Sequence, residues 1–305
     1  MSVCAGISIL APIAWATENG TSFYLLGSRA NGGAGMTPPP GIFFQNDFYF
    51  FSGSIDRSKS VPINRQIVAG VDATAMLSLS TVLWVTKAQI GGGQLALTLT
   101  IPAGSQEIDG RIGPLSVSDS IGTIADPVLG AFVGWNDGRL HWQVGVAANI
   151  PIGDYAEGSL ANVSFHRWVG DLYSTLTWMD PDTGFDLTTT LGLTFNGTNE
   201  ATDYKSGNDL HWELAITKNF SPAFSLGLTG YYFHQITGDS GGGAVLGEFK
   251  GRAAAVGATM AYTFKVGPAP VTLRAKYFHE FDVENRLQAD TGFLTVALPL
   301  WVDMN

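Results

Sequence analysis

A repeating alternation of apolar and polar residues runs along nearly the whole chain and most constrains its fold. We identify twelve segments in which apolar side chains recur at every second position, a period that places them on one face of a β-strand. In the first segment, Phe44 and Phe48 share one face, while Gln45, Asp47 and Tyr49 share the other. Beyond the N-terminus, no stretch approaches the roughly 20 uncharged apolar residues that a membrane-spanning helix requires. The sequence therefore predicts an all-β protein.

The connections between these segments alternate in length. The short ones are KAQIGG, NDG, DPDTG, NFSPA and KVGPAP, and the long polar ones cover about residues 56–64, 103–124, 152–165, 197–208, 238–248 and 282–290. Short periplasmic turns and longer extracellular loops, with an even number of strands, are typical of outer-membrane barrels. Hydrocarbon offers no hydrogen-bond partner, so a spanning sheet must close on itself. We predict a closed antiparallel transmembrane β-barrel of about 12 strands over residues 41–301, in the bacterial outer membrane, with a tail over residues 302–305.

The composition agrees with a wall that faces lipid. The chain is 45% hydrophobic and only 14% charged, whereas soluble domains carry about 25% charged residues. Its net charge of −10, without a cluster of Lys or Arg, argues against a nucleic-acid partner. Most Trp residues of the segments fall on the apolar face near strand ends, as in an interfacial girdle. Trp84 and Trp301 are out of phase, which predicts a bulge or an inward position.

The first 16 residues have the pattern of a signal peptide. Residues 1–16 are mostly apolar, end in Ala14-Trp15-Ala16, and are too short to span a bilayer as a helix. An N-terminal helix or strand of the folded domain is the alternative. Cys4, the one cysteine, lies inside this segment. Cleavage after Ala16 would leave a chain without disulfides or thiolate metal sites.

Residues 17–40 form a Gly- and Pro-rich segment before the first predicted strand. Gly32 and Gly33 allow tight turns, and the prolines at 38–40 stiffen the entry into the strand. We expect this segment to fold back into or across the periplasmic mouth and to narrow the path. Residues 23–26 would then pack on inward aromatic side chains such as Phe278. A disordered tether is the alternative.

The polar faces of the predicted strands supply the candidate lining of a channel. The residues predicted to line the lumen are Asp47, Tyr49, Asp72, Arg167, Asp171, Tyr173, Asp186, His211, Glu213, Tyr231, Phe233, Arg274, Lys276 and Phe278. Their charged members would keep the wall hydrated, and the inward aromatic rings would offer apolar surface to a solute. A general porin needs no such aromatic surface. A charge network that only satisfies a wet wall is the alternative.

Motifs that suggest enzyme chemistry are weak in this chain. GDSGG at residues 238–242 copies the nucleophile motif of trypsin-like proteases, but no matching His or Asp motif accompanies it. A lipid-facing hydrolase needs adjacent His and Ser on the outer wall. His234 and His279 are predicted to point outward, but they lie on strands that are not neighbours. The five histidines show no metal-ligand spacing, so we expect neither an enzyme nor a cofactor or metal.

Four stretches resemble a known family. PPPGIFFQNDFYFFSG, TFNGTNEATDYKSGNDLHWELAI, GYYFHQITGDSGGGAVLGEFKGRAAAVG and YFHEFDVENRLQADTGFLTVALPL resemble the outer-membrane channel family associated with the meta-cleavage pathway of phenol degradation. The resemblance covers nearly the whole mature chain. It implies a twelve-stranded channel for small hydrophobic, often aromatic, molecules, and it assigns no binding residues.

The expected function is therefore passive uptake of small hydrophobic or aromatic molecules. A non-specific small-solute porin is the alternative, followed by an outer-membrane lipid hydrolase. The expected partners are these solutes and outer-membrane lipid. We expect a monomer, although the sequence leaves the oligomeric state open, together with the substrate and the exit route through the periplasmic mouth or sideways between strands.

Overall fold

The computed structural model describes Glu18 and residues 22–55, 60–63, 66–245, 247–248 and 250–303. The predicted signal peptide over residues 1–16 lies outside the described residues. Within the described ranges, no helix is both long and apolar enough to cross a membrane.

Sixteen β-strands make up the described secondary structure. They are β1 (Gly41–Ser54), β2 (Ser60–Ile63), β3 (Gln66–Ile90), β4 (Gly93–Ile112), β5 (Leu115–Ile124), β6 (Val128–Asp137), β7 (Leu140–Asn149), β8 (Val169–Asp180), β9 (Phe185–Asn196), β10 (Thr198–Asn199), β11 (Tyr204–Lys205), β12 (Asp209–Asn219), β13 (Phe224–Gln235), β14 (Arg252–Val266), β15 (Ala269–Glu284) and β16 (Gln288–Val302). Strands β2, β5, β10 and β11 lie outside the barrel wall and the other twelve form it.

Every neighbouring pair in the wall is antiparallel, and the sheet closes on itself. The order runs from β3 through β1, β16, β15, β14, β13, β12, β9, β8, β7 and β6 to β4, and β4 pairs again with β3. The first strand pairs with the last, from Gly41 opposite Val302 to Ser54 opposite Gln288. The predicted closed antiparallel barrel of 12 strands is confirmed.

Tight turns join the strands at one end of the barrel. Gly138 between β6 and β7 has a φ of 58°, and Gly184 between β8 and β9 has a φ of 72°, a left-handed conformation that glycine adopts without a steric penalty. Gly41 and Val302 lie at this same end. We call it the short-turn end, and it corresponds to the periplasmic side of such barrels.

The opposite, long-loop end differs in detail from the sequence prediction. Residues 103–124, predicted to be a long polar connection, form a hairpin in which the outer half of β4 pairs with β5. The sequence missed these strands because they are rich in Ser, Asp and Gly and extend beyond the part of the sheet that lipid covers. The connection between β15 and β16 covers only residues 285–287, because both strands extend farther than their apolar cores.

The two faces of β3 are placed opposite to the sequence prediction. Met76 and Trp84 are 55% and 50% exposed on the outer face, whereas Leu77 and Leu79 pack inside the barrel. Asp72, predicted to line the lumen, shares the outer face and is exposed. The prediction was wrong because it assumed a polar inner wall, and here the inner wall is aliphatic. Trp84 was the signal for the correct phase, since its neighbours Ile42 and Leu97 lie on the outer faces of the adjoining strands.

The other out-of-phase tryptophan has a local cause. Trp301 is 54% exposed and lies opposite Ile42, while the next residue, Phe43, lies opposite Pro299. The bulge at this step leaves Leu300 without a partner on β1. A bulge adds one residue to one strand and so reverses the alternation beyond it.

Candidate functional site

The N-terminal segment, residues 22–40, lies inside the barrel and contacts its inner wall. Gly35 N donates to Thr177 Oγ1 on β8 at 2.9 Å. Near the short-turn end, Asn136 Nδ2 donates to Thr37 O at 2.9 Å. The wall beneath the segment is polar and hydroxyl-rich, so the segment rests on hydrogen bonds in addition to apolar packing.

Two oppositely charged side chains bind one turn of this segment. Glu213 on β12 accepts hydrogen bonds from Gly27 N at 2.6 Å and from Arg29 N at 2.9 Å. Lys276 on β15 donates to Gly27 O at 2.6 Å and to Ser28 O at 2.8 Å. The two side chains are 1% and 5% exposed, and buried charges require such partners. Both were predicted as lumen residues, but the partner that they share is on the segment.

Glycine is required at the centre of this turn. Gly27 has a φ of 88°, and a Cβ atom there would lie 2.5 Å from the ring of Phe278. Tyr24 and Leu26 pack in the same cluster as Phe278, Tyr231 and Phe293. The segment thus enters the aromatic group that the sequence placed on the inner wall.

Glu18, which precedes the segment in sequence, lies at the long-loop end, far from the periplasmic mouth where residues 17–40 were expected. Glu18 accepts hydrogen bonds from Arg167 Nη1 at 3.2 Å, Thr202 Oγ1 at 2.6 Å and Asn199 Nδ2 at 3.1 Å. Burial raises the pKa of the Glu18 carboxyl, and the charge of Arg167 opposes that rise. Glu18 is therefore anchored at the long-loop end of the lumen, and Thr37 near the short-turn end.

A second polar group lies between these ends. The ring of Tyr24 stacks on the ring of His211, with centroids 3.6 Å apart. His211 Nε2 lies 2.9 Å from Asp171 Oδ1, which also accepts from Thr194 Oγ1 at 2.7 Å. Three strands and the segment meet at this point.

The predicted lumen residues therefore fall into four groups, with Asp72 outside. Asp171, His211, Glu213 and Lys276 contact the segment or its supporting network, and Arg167 binds Glu18. Tyr49, Tyr231, Phe233 and Phe278 form the aromatic cluster. Asp186 accepts from Thr188 Oγ1 at 2.9 Å beneath the segment. Asp47, Tyr173 and Arg274 face the remaining open space. Glu280, which was not among the predicted lumen residues although it shares the inward face of β15 with Phe278, accepts a hydrogen bond from Tyr231 OH at 2.9 Å.

The open part of the lumen is a cavity of about 650 Å³ between the segment and the opposite wall. We call it the half-channel. Apolar side chains from β1, β3, β4 and β6 cover much of its wall: Phe43, Leu77, Leu79, Leu83, Pro102, Val128 and Phe132. Hydroxyl groups interrupt them, and Thr81 and Thr100 share a hydrogen bond of 2.8 Å. The leucines were missed because β3 was assigned the opposite phase.

The loop over residues 150–168 folds into the long-loop end of the half-channel. Phe165 of this loop meets Phe23 of the segment edge to face, with centroids 6.1 Å apart. Asp126 holds the loop by accepting from Gly153 N at 2.9 Å, Phe165 N at 2.9 Å and His166 N at 3.1 Å. A smaller cavity of about 90 Å³ lies between Phe165 and the aromatic cluster.

Asp119 on β5 holds the same loop from the extracellular hairpin. It accepts from Leu160 N at 2.7 Å and Ala161 N at 3.1 Å, and also from Ser159 Oγ. Partial burial raises the pKa of Asp119, but these hydrogen bonds outweigh it and hold the pKa below its usual range. The ionised carboxylate is thus the form that fastens the loop.

The outer wall carries a Ser, a His and an Asp in a row, but in the wrong order for hydrolysis. Ser52 lies opposite Asp290, which lies opposite His279 on the next strand. Asp290 Oδ1 is 2.8 Å from His279 Nδ1. In a catalytic triad the His lies between the Ser and the acid, whereas here the acid is central.

Comparisons with known proteins agree with this architecture. The family model described as "Putative MetA-pathway of phenol degradation" matches residues 58–296. The COG4313 outer membrane channel from Pseudomonas putida F1 has a similar structure, with a TM-score of 0.70, 15% identity, and coverage of 88% of this chain and 99% of that one.

A more distant similarity is to the transport unit of the autotransporter AIDA-I from Escherichia coli. Its TM-score is 0.47 at 10% identity, over 84% of this chain and 89% of that one. No curated protein matches the chain. With its closed barrel in the bacterial outer membrane, the chain belongs to the family described as "Putative MetA-pathway of phenol degradation".

Proposed function

We propose that the protein is a channel for passive uptake of small hydrophobic or aromatic molecules across the outer membrane. The observation that carries this proposal is the apolar half-channel of about 650 Å³ inside the barrel. Membership of an outer-membrane family connected with phenol degradation supports it. The similar structure from Pseudomonas putida F1 is itself named an outer membrane channel.

The physical basis is weak, repeated contact along the half-channel. Removing apolar surface from water contributes about 25 cal/mol per Å², so a small ring gains from each leucine or phenylalanine that it touches. Thr81, Thr98 and Gln45 keep part of the same wall polar. A path that binds a solute at several weak positions also releases it.

The segment gives this path its size selectivity. It fills the polar side of the lumen and leaves the apolar side open, so a solute must pass between the segment and β3. The ring pair Phe23 and Phe165 lies at the long-loop end of that space, and Pro38 and Pro299 lie at the other end. A general porin would keep a wide polar lumen instead.

Uptake by whole cells tests the proposal. Cells that carry the protein should take up a radiolabelled neutral aromatic, supplied at low concentration, faster than cells that lack it. Leu79→Gln, which makes the half-channel wall polar, should slow that uptake. Leu115→Gln is the matched control, because Leu115 is exposed at the tip of the extracellular hairpin. Equal uptake with and without the protein would refute the proposal.

Two further assays separate the alternatives. Purified protein in liposomes should not pass sugars and amino acids at rates set by size alone, as a non-specific porin would. We also propose that the protein is not an enzyme, because the acid separates Ser52 from His279 on the outer wall. Phospholipid hydrolysis by the purified protein, abolished by His279→Ala, would contradict that.

A further inference from the structure

Two arginine side chains line the half-channel. Arg29 lies on the N-terminal segment and Arg274 on β15. The guanidinium carbon of Arg29 lies 3.7 Å from the ring centre of Tyr173, so the group is stacked on an aromatic ring. Neither side chain donates a hydrogen bond to a described residue. Each guanidinium has five N–H donors, which leaves both groups able to bind an acceptor.

The acidic groups of the same wall, by contrast, already have hydrogen-bond partners. Asp47 accepts from Gln45 Nε2 at 2.6 Å and from Thr295 Oγ1. Asp171 is held by Thr194 and His211, and Asp126 accepts the N–H groups of the inward loop. The half-channel therefore offers hydrogen-bond donors with positive charge, while its carboxylates are already satisfied.

Arg29 is the better placed of the two arginines. Both arginines interact electrostatically with two acidic groups, Asp47 and Asp186 for Arg274 and Glu213 and Asp171 for Arg29, and these carboxylates accept hydrogen bonds from other groups. Arg29 differs in that its guanidinium stacks on Tyr173, beside apolar side chains that line the half-channel. A guanidinium with satisfied acidic neighbours and unused donors matches a carboxylate that binds through both oxygens.

Apolar surface adjoins this guanidinium. Tyr173, on which Arg29 stacks, packs in one cluster with Phe132, Val85 and Ala96, and Phe43 and Leu83 pack against that cluster. Phe43, Leu83 and Phe132 also line the half-channel. A molecule with a flat ring and one carboxylate would place the ring on these side chains and the carboxylate on Arg29.

We propose that the half-channel binds aromatic monocarboxylates, with Arg29 as the group that recognises the carboxylate. This inference rests on the proposed uptake function and narrows its substrate class from aromatic molecules in general to aromatic anions. The ring supplies the apolar contact, and the charge-assisted hydrogen bonds supply the preference for the anion.

Three probes of equal shape test it: benzoate, benzamide and benzamidine. They share one ring and differ in carrying a negative, a neutral or a positive group near pH 7. Binding is measured as block of the ion current of the purified full chain in planar bilayers. Charge-assisted hydrogen bonds predict that benzoate binds at least about tenfold more tightly than benzamide. Benzamidine should bind most weakly.

Variants assign the preference to one residue. In Arg29→Gln, the affinity for benzoate should fall to within about twofold of the affinity for benzamide. Arg29→Lys should retain part of the preference for benzoate, because lysine keeps the charge but not the planar pair of donors. Arg274→Gln should have the smaller effect. Arg111→Gln, on the exposed outer face of the extracellular hairpin, should have none. Heat-dependent migration on gels confirms that each variant forms the barrel.

The outcomes separate this inference from the uptake function. Equal block by benzoate and benzamide, or a preference that persists in Arg29→Gln, overturns the inference and leaves uptake of neutral aromatics standing. A larger loss in Arg274→Gln than in Arg29→Gln overturns the assignment to Arg29. If no probe blocks the current and cells take up no aromatic through the protein, both proposals fail.

Discussion

Glu213 and Lys276 hold opposite sides of one backbone turn. The carboxylate accepts the N–H groups of Gly27 and Arg29, while the ammonium group donates to the carbonyl oxygens of Gly27 and Ser28. The two residues lie on β12 and β15, and the turn lies between them in the lumen. A charged clamp of this kind fixes where the segment sits and therefore how wide the half-channel is.

Breaking this clamp should loosen the segment and raise conductance. In Glu213→Ala, Lys276 stays buried without its counter-charge, and removing one member of a buried pair costs about 3–5 kcal/mol. Single-channel conductance in planar bilayers should rise and fluctuate. The double variant Glu213→Ala/Lys276→Met should add little, because both changes release the same turn. Glu107→Ala, exposed on the hairpin, is the control, and wild-type conductance in Glu213→Ala would count against the clamp.

Removing the segment should open the lumen without unfolding the barrel. The wall closes through its own strand ladders, including β1 with β16, so a chain without residues 17–36 should still show heat-dependent migration on gels. The polar wall under the segment, including Thr175 and Thr190, would then meet water. Conductance should increase, and sugars should pass through the channel in liposomes. A folded barrel of unchanged conductance would mean that the segment does not restrict the path.

Charge on the lipid face should damage folding, whereas the same charge outside the bilayer should not. Leu191 is 54% exposed on the outer face of β9, mid-strand, and arginine near the bilayer midplane of a barrel costs about 2–4 kcal/mol. Leu191→Arg should lower the free energy of unfolding in urea titrations by that order. Leu115→Arg, at the hairpin tip, should leave it within error. If Leu115→Arg lowered the free energy of unfolding more than Leu191→Arg did, the position assumed here for the bilayer on the barrel would be wrong.

The loop over residues 150–168 should detach from Asp119 at acidic pH. The pKa of Asp119 is held below its usual range by hydrogen bonds that outweigh burial, so the carboxylate contributes stability above its unfolded pKa. That contribution is lost as pH falls through the lower folded pKa, in a window below about pH 4. Protease cleavage within residues 150–168 should therefore accelerate on acidification in that window.

A variant provides the reference for this acid step. Asp119→Asn cannot ionise, so its cleavage rate should already be raised at neutral pH and should change less on acidification. An acid-tolerant protease is required, and the wild-type barrel should be shown intact at each pH by its migration on gels. If acidification accelerated cleavage equally in the wild type and in Asp119→Asn, the titrating group would be one other than Asp119.

The wall of the barrel was predictable because its rule is local. In β9, Leu187 and Leu191 face lipid while Thr188 and Thr190 face inward, as the alternation indicated. The polarity of each residue in such a strand indicates whether its side chain faces lipid or the lumen, since hydrocarbon requires apolar side chains and paired backbone groups. Strand number, closure and membrane location follow from this rule repeated along the chain.

The rule fails where neither face has to be polar. In β3 the apolar side chains Leu77 and Leu79 turn inward, and Asp72 lies outside, above the part of the wall that lipid covers. A strand of 25 residues is far longer than the about 9–11 that span a bilayer. Its polar positions therefore do not report the lumen, and the aliphatic wall of the half-channel stayed hidden from pattern reasoning.

The sequence predicted that the segment packs on inward aromatic side chains such as Phe278, but its exact position in the lumen depends on long-range contacts. Gly27 and Glu213 are 186 positions apart in sequence and 2.6 Å apart in space, and no local period connects them. The alternation along the chain was enough to specify a closed twelve-stranded wall, because each strand meets lipid independently of the others. Only the folded chain decided which half of the lumen stays open, because the segment settles where buried charges and backbone groups from distant strands can satisfy one another.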